Sequence, residues 1–219
     1  MVVNCAGEGR RLGLGSTKAL VSVHGAPLIA WHLKMLRDVE DVMVVVGHQA
    51  ADVIDAVTAV RKDVAFAFNH HYKTTGTAAS LALGCRGARG DVISLDGDLL
   101  VHPDDFAGFL DATGACLGVA PPTTTDAVFT TVSEDRAGAP VATAFNRTGP
   151  GLEWTGLLRA PGDVIQDAHA EHRTAGHVFE MLVPHLPIAA RDVRAREIDT
   201  PDDYDRAVTW MAPIKHLWN

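Results

Sequence analysis

Residues 2–18 read VVNCAGEGRRLGLGSTK, and this stretch indicates the fold class of the chain. Its two valines predict the end of a first strand, and a glycine-rich loop follows them. The loop combines four glycines with three cations: Gly7, Gly9, Gly13, Gly15, Arg10, Arg11 and Lys18. Glycine lets backbone N–H groups approach an anion, and arginine and lysine bind phosphate oxygens. Such a loop after a strand predicts a polyphosphate site in an α/β protein.

Two common phosphate-binding motifs do not fit this loop. Lys18 is followed by Ala19, so the G-x-x-x-x-G-K-[ST] pattern of a P-loop is absent. The G-x-G-x-x-G fingerprint of dinucleotide-binding proteins fails because Gly13 comes one residue late. A surface turn with solvated charges is the alternative interpretation, because a glycine loop alone is a weak motif.

Downstream of the loop, helical and strand patterns alternate. Pro27 begins a helical pattern, and the β-branched run 42–46 predicts a strand that is buried on both faces. The further elements predicted up to residue 110 are a helix over 49–60, a strand over 64–68, a helix ending at Gly84, a strand over 92–95 and a helix over 103–110. This order predicts a parallel α/β sheet with right-handed crossovers.

The pattern changes from residue 116 onward. Short apolar runs with no long helix between them, at 117–120, 128–132 and 141–145, predict antiparallel or mixed strands over the sheet. Residues 149–156 predict a turn-rich segment. A late strand over 193–198 and a closing helix over 201–211 complete the prediction. The length of 219 residues suits a single domain, 1–219.

The composition excludes several classes of protein. Apolar residues make up 47 % of the chain, and the net charge of −8 argues against a nucleic-acid binder, which would be basic. No apolar run is long enough to span a bilayer and no secretory h-region is present, so we expect no membrane insertion and a cytoplasmic location. Cys5, Cys85 and Cys116 are widely spaced, which fits a reducing compartment and no structural zinc site.

Two aspartates are candidate metal ligands. Asp98 follows the strand predicted over 92–95, at the sheet edge where α/β proteins bind ligands, and a carboxylate there can hold Mg²⁺. Asp96, two residues earlier, is expected on the same side. The alternative for Asp98 is a surface turn or a helix cap.

The second candidate lies in the run EIDTPDD, residues 197–203. Thr200-Pro201 followed by acidic residues is also a plain helix start, which explains Asp202 and Asp203. That interpretation does not explain Asp199.

Several of these motifs together resemble one superfamily. The run Ala6-Gly7-x-Gly9-x-Arg11-Leu12, then Lys18, then PLI at residues 27–29, resembles the signature AAGxGxRL…PK…PLI of nucleotidyltransferases with a glycosyltransferase-A-like fold. These include sugar-1-phosphate nucleotidylyltransferases and small cytidylyltransferases for phosphocholine, inositol phosphate and phosphonates. Cys5 replaces an alanine of the signature, and Thr17 replaces a proline, a change expected to loosen the loop that presents Lys18.

The resemblance implies a fold and a set of site residues. The fold would be a Rossmann-like three-layer α/β/α arrangement, with a mostly parallel central sheet and a smaller mixed β part in the C-terminal half. Residues 1–115 would bind the nucleotide and 116–219 the acceptor. The implied roles are catalysis by Arg11 and Lys18, nucleotide binding by Ala6, Gly7, Gly9, Gly76, Thr77, Ala78 and Asp96, metal binding by Asp98 and Asp199, and acceptor binding by Glu153 and Trp154. The Gly76-Thr77-Ala78 run also fits a plain helix start capped by Thr75 or Thr77.

The implied reaction is Mg²⁺-dependent. A nucleoside monophosphate would pass from a pyrimidine NTP, with CTP favoured over UTP, to a phosphorylated acceptor, with release of pyrophosphate. The acceptor would be a sugar 1-phosphate, a polyol phosphate, a phosphocholine-like compound or a phosphonate, and a homodimer is compatible with this function. Two alternatives stay open: a glycosyltransferase that uses Asp96-Gly97-Asp98 as a DxD motif, and a non-catalytic nucleotide-binding module.

Overall fold

The structure, a computed structural model, describes residues 1–124, 126–171 and 176–218. Within these ranges the chain forms a nine-stranded sheet, two short strand pairs and seven α-helices. The strands are β1 Val2–Cys5, β2 Ser22–Val23, β3 Ala26–Pro27, β4 Met43–Val46, β5 Ala65–Phe68, β6 Asp91–Asp96, β7 Leu99–Val101, β8 Cys116–Ala120, β9 Phe129–Glu134, β10 Pro140–Asn146, β11 Leu152–Pro161, β12 Ile188–Asp192 and β13 Ala195–Glu197. The helices are α1 Leu28–Met35, α2 Ala50–Val60, α3 Thr77–Gly84, α4 Pro103–Leu110, α5 Gly162–Glu171, α6 Val178–Leu182 and α7 Pro201–Met211.

The first four strands of the large sheet confirm the predicted parallel order. They lie side by side as β5-β4-β1-β6, and every pair among these neighbours is parallel. Along β1, Val3 and Cys5 face one hydrophobic cluster and Val2 faces another. The first cluster includes buried side chains of α1, α2 and α4, and the second includes buried side chains of α3, α5 and α6. The result is three layers, with the sheet between two layers of helices.

The second half differs from the prediction of strands lying over the sheet. β11, β8, β12, β10 and β9 continue the same sheet beyond β6, with mixed directions. β11 is antiparallel to both β6 and β8, and β12 is parallel to β8. The sheet as a whole is therefore mixed, and its parallel half ends at β6.

The predicted turn-rich segment 149–156 is wrong over its second part, because β11 begins at Leu152. Gly156 has φ 85°, and the register with β8 shifts between Trp154 and Leu158. A bulge at this point interrupts the alternation by which a strand is recognised in a sequence.

The C-terminal helix α7 begins with a capping box and contributes to a third hydrophobic cluster. α7 spans the predicted residues 201–211, and its Met211 belongs to the same hydrophobic cluster as Trp31 of α1 and Val23 of the β2–β3 hairpin. Thr200 accepts a hydrogen bond from the Asp203 N–H, and the Asp203 carboxylate accepts one from the Thr200 N–H, which forms a capping box. In the described part of the chain, every helix is too short or too polar to cross a membrane.

Two helical glycines test how closely α3 approaches the sheet. A Cβ at Gly84, the last residue of α3, would lie 2.8 Å from Cγ2 of Val45 and would also meet Val2, whereas a Cβ at Gly108 of α4 meets nothing within 4 Å. Gly84→Ala is therefore expected to lower the free energy of unfolding by about 1–3 kcal/mol, the cost of overpacking a core. Gly108→Ala should raise it by up to about 1 kcal/mol, because alanine favours the helix. Urea unfolding of both variants checks this, and equal shifts would contradict the close approach of α3.

A candidate active site at the carboxyl ends of the strands

A cleft of about 670 Å³ opens where β1 and β6 end. The glycine-rich loop after β1, the start of α3 and the segment after β13 line it, together with residues of β11 and the start of α6. The cleft therefore lies at the sheet edge that the sequence predicts for ligand binding.

The glycine-rich loop turns because three of its glycines, Gly9, Gly13 and Gly15, adopt left-handed backbone conformations. Gly9 has φ 63° and Gly13 φ 72°, and they flank a short 3₁₀ helix over residues 10–12. A Cβ at Gly9 would lie 2.7 Å from the Ser16 carbonyl oxygen, so the loop closes on itself only with glycine there. Arg11 leaves this turn with its side chain 53 % exposed, in reach of a ligand in the cleft.

Thr17 does not loosen the loop, contrary to the prediction from its place in the motif. Its side chain is buried, and its N–H donates to Oε1 of Gln49 at 2.8 Å. Gln49 itself precedes α2 in a left-handed conformation, with φ 51°. Thr17 has φ −60°, a value that proline also adopts, but a proline could not donate this hydrogen bond. The neighbouring βα turn thus anchors the residue next to Lys18.

Lys18 joins three distant segments of the chain. Its ammonium lies 2.6 Å from Oδ2 of Asp98 and also contacts Oδ1 of Asp199. Burial lowers the pKa of Lys18, but the charges of Asp98 and Asp199 outweigh that effect and raise it, so the side chain stays protonated. Arg11 binds the other carboxylate oxygen of Asp199, with Nη2 at 2.9 Å from Oδ2. The structure thus brings together Arg11, Lys18, Asp98 and Asp199, all four of which the sequence singled out.

A third carboxylate, Glu197, completes this group. One oxygen each of Asp98, Glu197 and Asp199 lies within 4.8 Å of the others, a spacing that suits a metal ion. Burial, together with the charges of Asp98 and Asp199, raises the pKa of Glu197 well above its ordinary value. Oxygen donors gathered at this distance repel one another and fit a hard divalent cation such as Mg²⁺. Asp199 was predicted from the sequence and Glu197 was not, although both belong to the run EIDTPDD.

Asp96 lies beside this group and is held differently. Its Oδ1 accepts a hydrogen bond from Nδ2 of Asn4 at 3.1 Å. Burial and the neighbouring charge of Asp98 raise the pKa of Asp96 to about 7. Asp96 lines the cleft but does not belong to the trio of possible metal ligands in the described residues.

His32 of α1 contacts the backbone next to Asp98, a role that no sequence motif indicated. Its Nε2 lies 2.7 Å from the carbonyl oxygen of Leu99, the residue after Asp98. Burial lowers the pKa of His32 to about 4, so the ring is neutral near pH 7 and donates from Nε2 to that carbonyl. A lone histidine in a helical pattern carries no signal for this role.

Small residues line the cleft at the start of α3. Gly76 precedes the helix, and no side chain caps it, so neither Thr75 nor Thr77 has the predicted capping role. Oγ1 of Thr77 instead accepts from the Val178 N–H at 3.3 Å. A Cβ at Gly76 would collide with the backbone of Gly176, so the segment before α6 lies directly against this turn. Ala6, Gly7 and Gly9 of the glycine-rich loop, like Gly76 and Thr77, line the cleft, whereas the buried Ala78 lies behind its wall.

The two residues predicted to bind the acceptor lie in different places. Trp154 lines the cleft with 8 % of its surface exposed. Glu153 points away and is buried, and its carboxylate accepts hydrogen bonds from the Thr123 N–H at 2.6 Å and from Oγ1 of Thr124 at 2.6 Å. Glu153 therefore stabilises the loop after β8 and does not line the cleft.

The sequence of this chain matches one family model and several known proteins. The family model of the MobA-like NTP transferase domain matches residues 1–175. The bifunctional protein GlmU of Geobacter metallireducens is 36 % identical over 118 residues, 52 % of this chain and 25 % of GlmU. The chain thus spans about a quarter of the length of the GlmU relatives it matches. A 2-C-methyl-D-erythritol 4-phosphate cytidylyltransferase of Synechococcus is 29 % identical over 132 residues, 57 % of this chain and 58 % of that protein.

Solved structures with low sequence identity share the fold. The inositol-1-phosphate CTP transferase of T. maritima has a TM-score of 0.81 at 19 % identity, covering 98 % of this chain and 95 % of that one. The CTP:phosphocholine cytidylyltransferase LicC of Streptococcus pneumoniae has a TM-score of 0.75 at 17 % identity, covering 96 % of this chain and 97 % of that one.

The Thr17–Gln49 hydrogen bond predicts a non-additive pair of substitutions. Gln49→Ala leaves the buried Thr17 N–H without its partner, which should cost about 1–3 kcal/mol of unfolding free energy. Thr17→Pro places the proline ring where the Gln49 side chain lies and should also destabilise. In the double variant the ring fills the space and no N–H is left unpaired, so it should be more stable than either single variant. Urea unfolding measures all four proteins, and additive losses would show that the two residues do not act together.

Proposed function

Because the chain belongs to the family of MobA-like NTP transferase domains, and is thus a nucleotidyltransferase, we propose that it transfers a nucleoside monophosphate from an NTP to a phosphorylated small molecule. Pyrophosphate is the second product. The observation that carries this proposal is the convergence of Arg11 and Lys18 with three carboxylates at one end of the cleft. Cations that bind phosphate and carboxylates that bind a metal ion are the two components that such a transfer needs.

The chain's own cations bind and orient the nucleotide. Arg11, half-exposed at the cleft, reaches the β- and γ-phosphates, while the glycine-rich loop offers backbone N–H groups to them. Lys18 binds the α-phosphate and exchanges part of its contact with Asp98 and Asp199 for phosphate oxygens. Its raised pKa keeps the positive charge in place throughout.

Asp98, Glu197 and Asp199 are the residues that would hold Mg²⁺. When bound, the ion supplies positive charge next to the α-phosphate and the acceptor, which lowers the repulsion between two anions. His32 keeps the backbone beside Asp98 in position by its hydrogen bond to Leu99.

The chemistry needs no general base in the protein. An oxygen of the acceptor phosphate is already anionic near neutral pH. It attacks the α-phosphorus in line, a new P–O bond forms, and the bond to the β-phosphate breaks with the electron pair leaving on pyrophosphate. The site therefore acts by aligning the two anions and by neutralising the negative charge on the leaving pyrophosphate.

The nucleotide base lies at the start of α3, where Gly76, Thr77 and Ser80 line the cleft. Walls of backbone and small side chains suit one pyrimidine ring, and this supports CTP or UTP. We favour CTP, because the structural neighbours that cover nearly all of this chain include two enzymes named as using CTP.

The DxD glycosyltransferase is the weaker alternative. Asp96 is held by Asn4 and lies outside the carboxylate trio, so the two aspartates of Asp96-Gly97-Asp98 do not act as one metal site. A nucleotide-sugar enzyme would also have no use for Arg11 and Lys18 at the end of the cleft.

The proposed metal site predicts a contrast between two aspartates of one motif. Asp199→Asn removes a charge from the trio and should lower turnover by at least about 10²-fold, with a higher Mg²⁺ concentration needed for half-maximal rate. Asp202→Asn is the matched control, because Asp202 is exposed in the first turn of α7. Pyrophosphate release measures both. Wild-type kinetics in the Asp199 variant would mean that the run EIDTPDD is only the start of α7 and does not contribute to a metal site.

The proposed base site predicts a ranking of nucleotides. With one working acceptor, kcat/KM should be highest for CTP, lower for UTP and lowest for ATP and GTP. Thr77→Leu should raise the nucleotide KM more than it lowers kcat, because base contacts are remote from the reacting phosphorus. Initial rates with the four NTPs test the ranking, and a preference for a purine would overturn the base assignment.

A further inference from the structure

An aromatic cluster forms the cleft wall between β10, β11 and α6. Phe145, Trp154 and Phe179 pack together with ring centroids 5.7–6.3 Å apart. Trp154 and Phe179 line the cleft itself, beside Val128. Aromatic walls of this kind bind either the apolar face of a polyol or a quaternary ammonium group, and the surrounding charges decide between these two ligands.

Here the protein's own cation covers Phe179, one of the two aromatic rings that line the cleft, and the other, Trp154, has only 8 % of its surface exposed. The guanidinium carbon of Arg147 lies 4.9 Å from the ring centroid of Phe179. The ring of His177 stacks on the same phenylalanine at 5.8 Å, with an interplanar angle of 18°. Phe179 therefore offers little free surface to a ligand cation, and Arg147 would repel one.

Among the described residues, the carboxylates beside this wall already have partners within the protein. Asp126 is shared, with Oδ2 at 2.7 Å from Arg11 and Oδ1 at 3.8 Å from Arg147. Glu153 is taken up by Thr123 and Thr124, as described above. Glu180 accepts hydrogen bonds from the N–H groups of Gly176 and His177.

Arg147 keeps donors that a ligand can use. Within the described residues its guanidinium has one ion pair, to Asp126 at the long distance of 3.8 Å, the contact with Phe179 and an electrostatic interaction with Glu180. Its side chain is 44 % exposed and lines the cleft. A guanidinium has five N–H donors arranged to match a phosphate or a carboxylate.

A chain of charged contacts connects Arg147 to the reaction centre. Asp199 binds Arg11 at 2.9 Å, Arg11 binds Asp126 at 2.7 Å, and Asp126 faces Arg147. The carboxylate trio, Arg147 and the aromatic wall all border the same cleft, so an acceptor whose phosphate lies at the trio can extend toward Arg147.

We propose that Arg147 donates hydrogen bonds to oxygen atoms of the acceptor's remainder, and that the acceptor is a phosphate ester whose remainder is uncharged or anionic, such as a sugar or polyol phosphate. A zwitterion such as phosphocholine would bring its quaternary ammonium against Arg147. This inference rests on the proposed function, and it selects among the acceptor classes that the sequence leaves open.

The test measures binding first and turnover second. Glucose 1-phosphate, inositol 1-phosphate and phosphocholine are titrated calorimetrically into the wild-type protein with Mg²⁺. The variants Arg147→Gln and Arg136→Gln are titrated in the same way. Arg136 is the matched control, because it is exposed in the β9–β10 turn and does not line the cleft. At least one of the two neutral-headed phosphates should bind the wild type about tenfold or more tightly than phosphocholine, a difference that one well-placed charge can supply.

Arg147→Gln should weaken that binding by at least about tenfold and leave the Kd for Mg²⁺–CTP unchanged, while Arg136→Gln changes neither. Phosphocholine binding as tightly as the others, no binding of either neutral-headed phosphate, or an unaltered Arg147→Gln protein would each overturn the inference. Addition of CTP then reports on the reaction. Acceptor binding that depends on Arg147, without pyrophosphate release, supports the inference and contradicts the proposed function.

Discussion

Repulsion among carboxylates is the constraint on which the rest of this structure depends. Asp98, Glu197 and Asp199 lie within 4.8 Å of one another in a partly buried place, and Lys18 lies against two of them. Without a cation between them such a group would push the segment after β6 away from the segment after β13. Lys18 and Arg11 thus hold together residues 11–18, 98 and 197–199. A structural ion pair and a phosphate-binding site coincide here, because the same cations serve both.

Much of the first half of the fold could be predicted, because its signals are local. The β-branched run at 42–46 and the proline before α1 each specify an element without help from distant residues. The second half depends on tertiary context. β11 carries a bulge at Gly156, and β12 ends in charged residues. α5 buries few apolar side chains, among them Ile165 and Ala168. In none of these three elements do apolar residues recur at the regular spacing by which a strand or a helix is recognised in a sequence.

The candidate site shows the same division between motif and context. Arg11, Lys18, Asp98 and Asp199 belong to short motifs with distinctive spacing, and the structure brings them together. Glu197 and His32 act through geometry that appears only when β13 and α1 are in place. Thr17 stands where the motif has proline, yet it does not loosen the loop, because the Gln49 side chain accepts a hydrogen bond from its N–H. The effect of a residue on the stability of a loop thus depends on the hydrogen-bond partners that the neighbouring turn provides.

The position of β11 has a consequence for how the polypeptide comes to be folded during synthesis. β6 has β1 on one side, but its other neighbour is β11, which leaves the ribosome more than fifty residues later. The strand pairings are therefore of high contact order, and the edge of β6 stays unprotected until residue 161 has emerged. Asp199 is made later still. A nascent chain therefore contains Lys18 and Asp98 before Asp199, the second carboxylate that binds Lys18, has been made, and protection of the β6 edge by chaperones matters most during that interval.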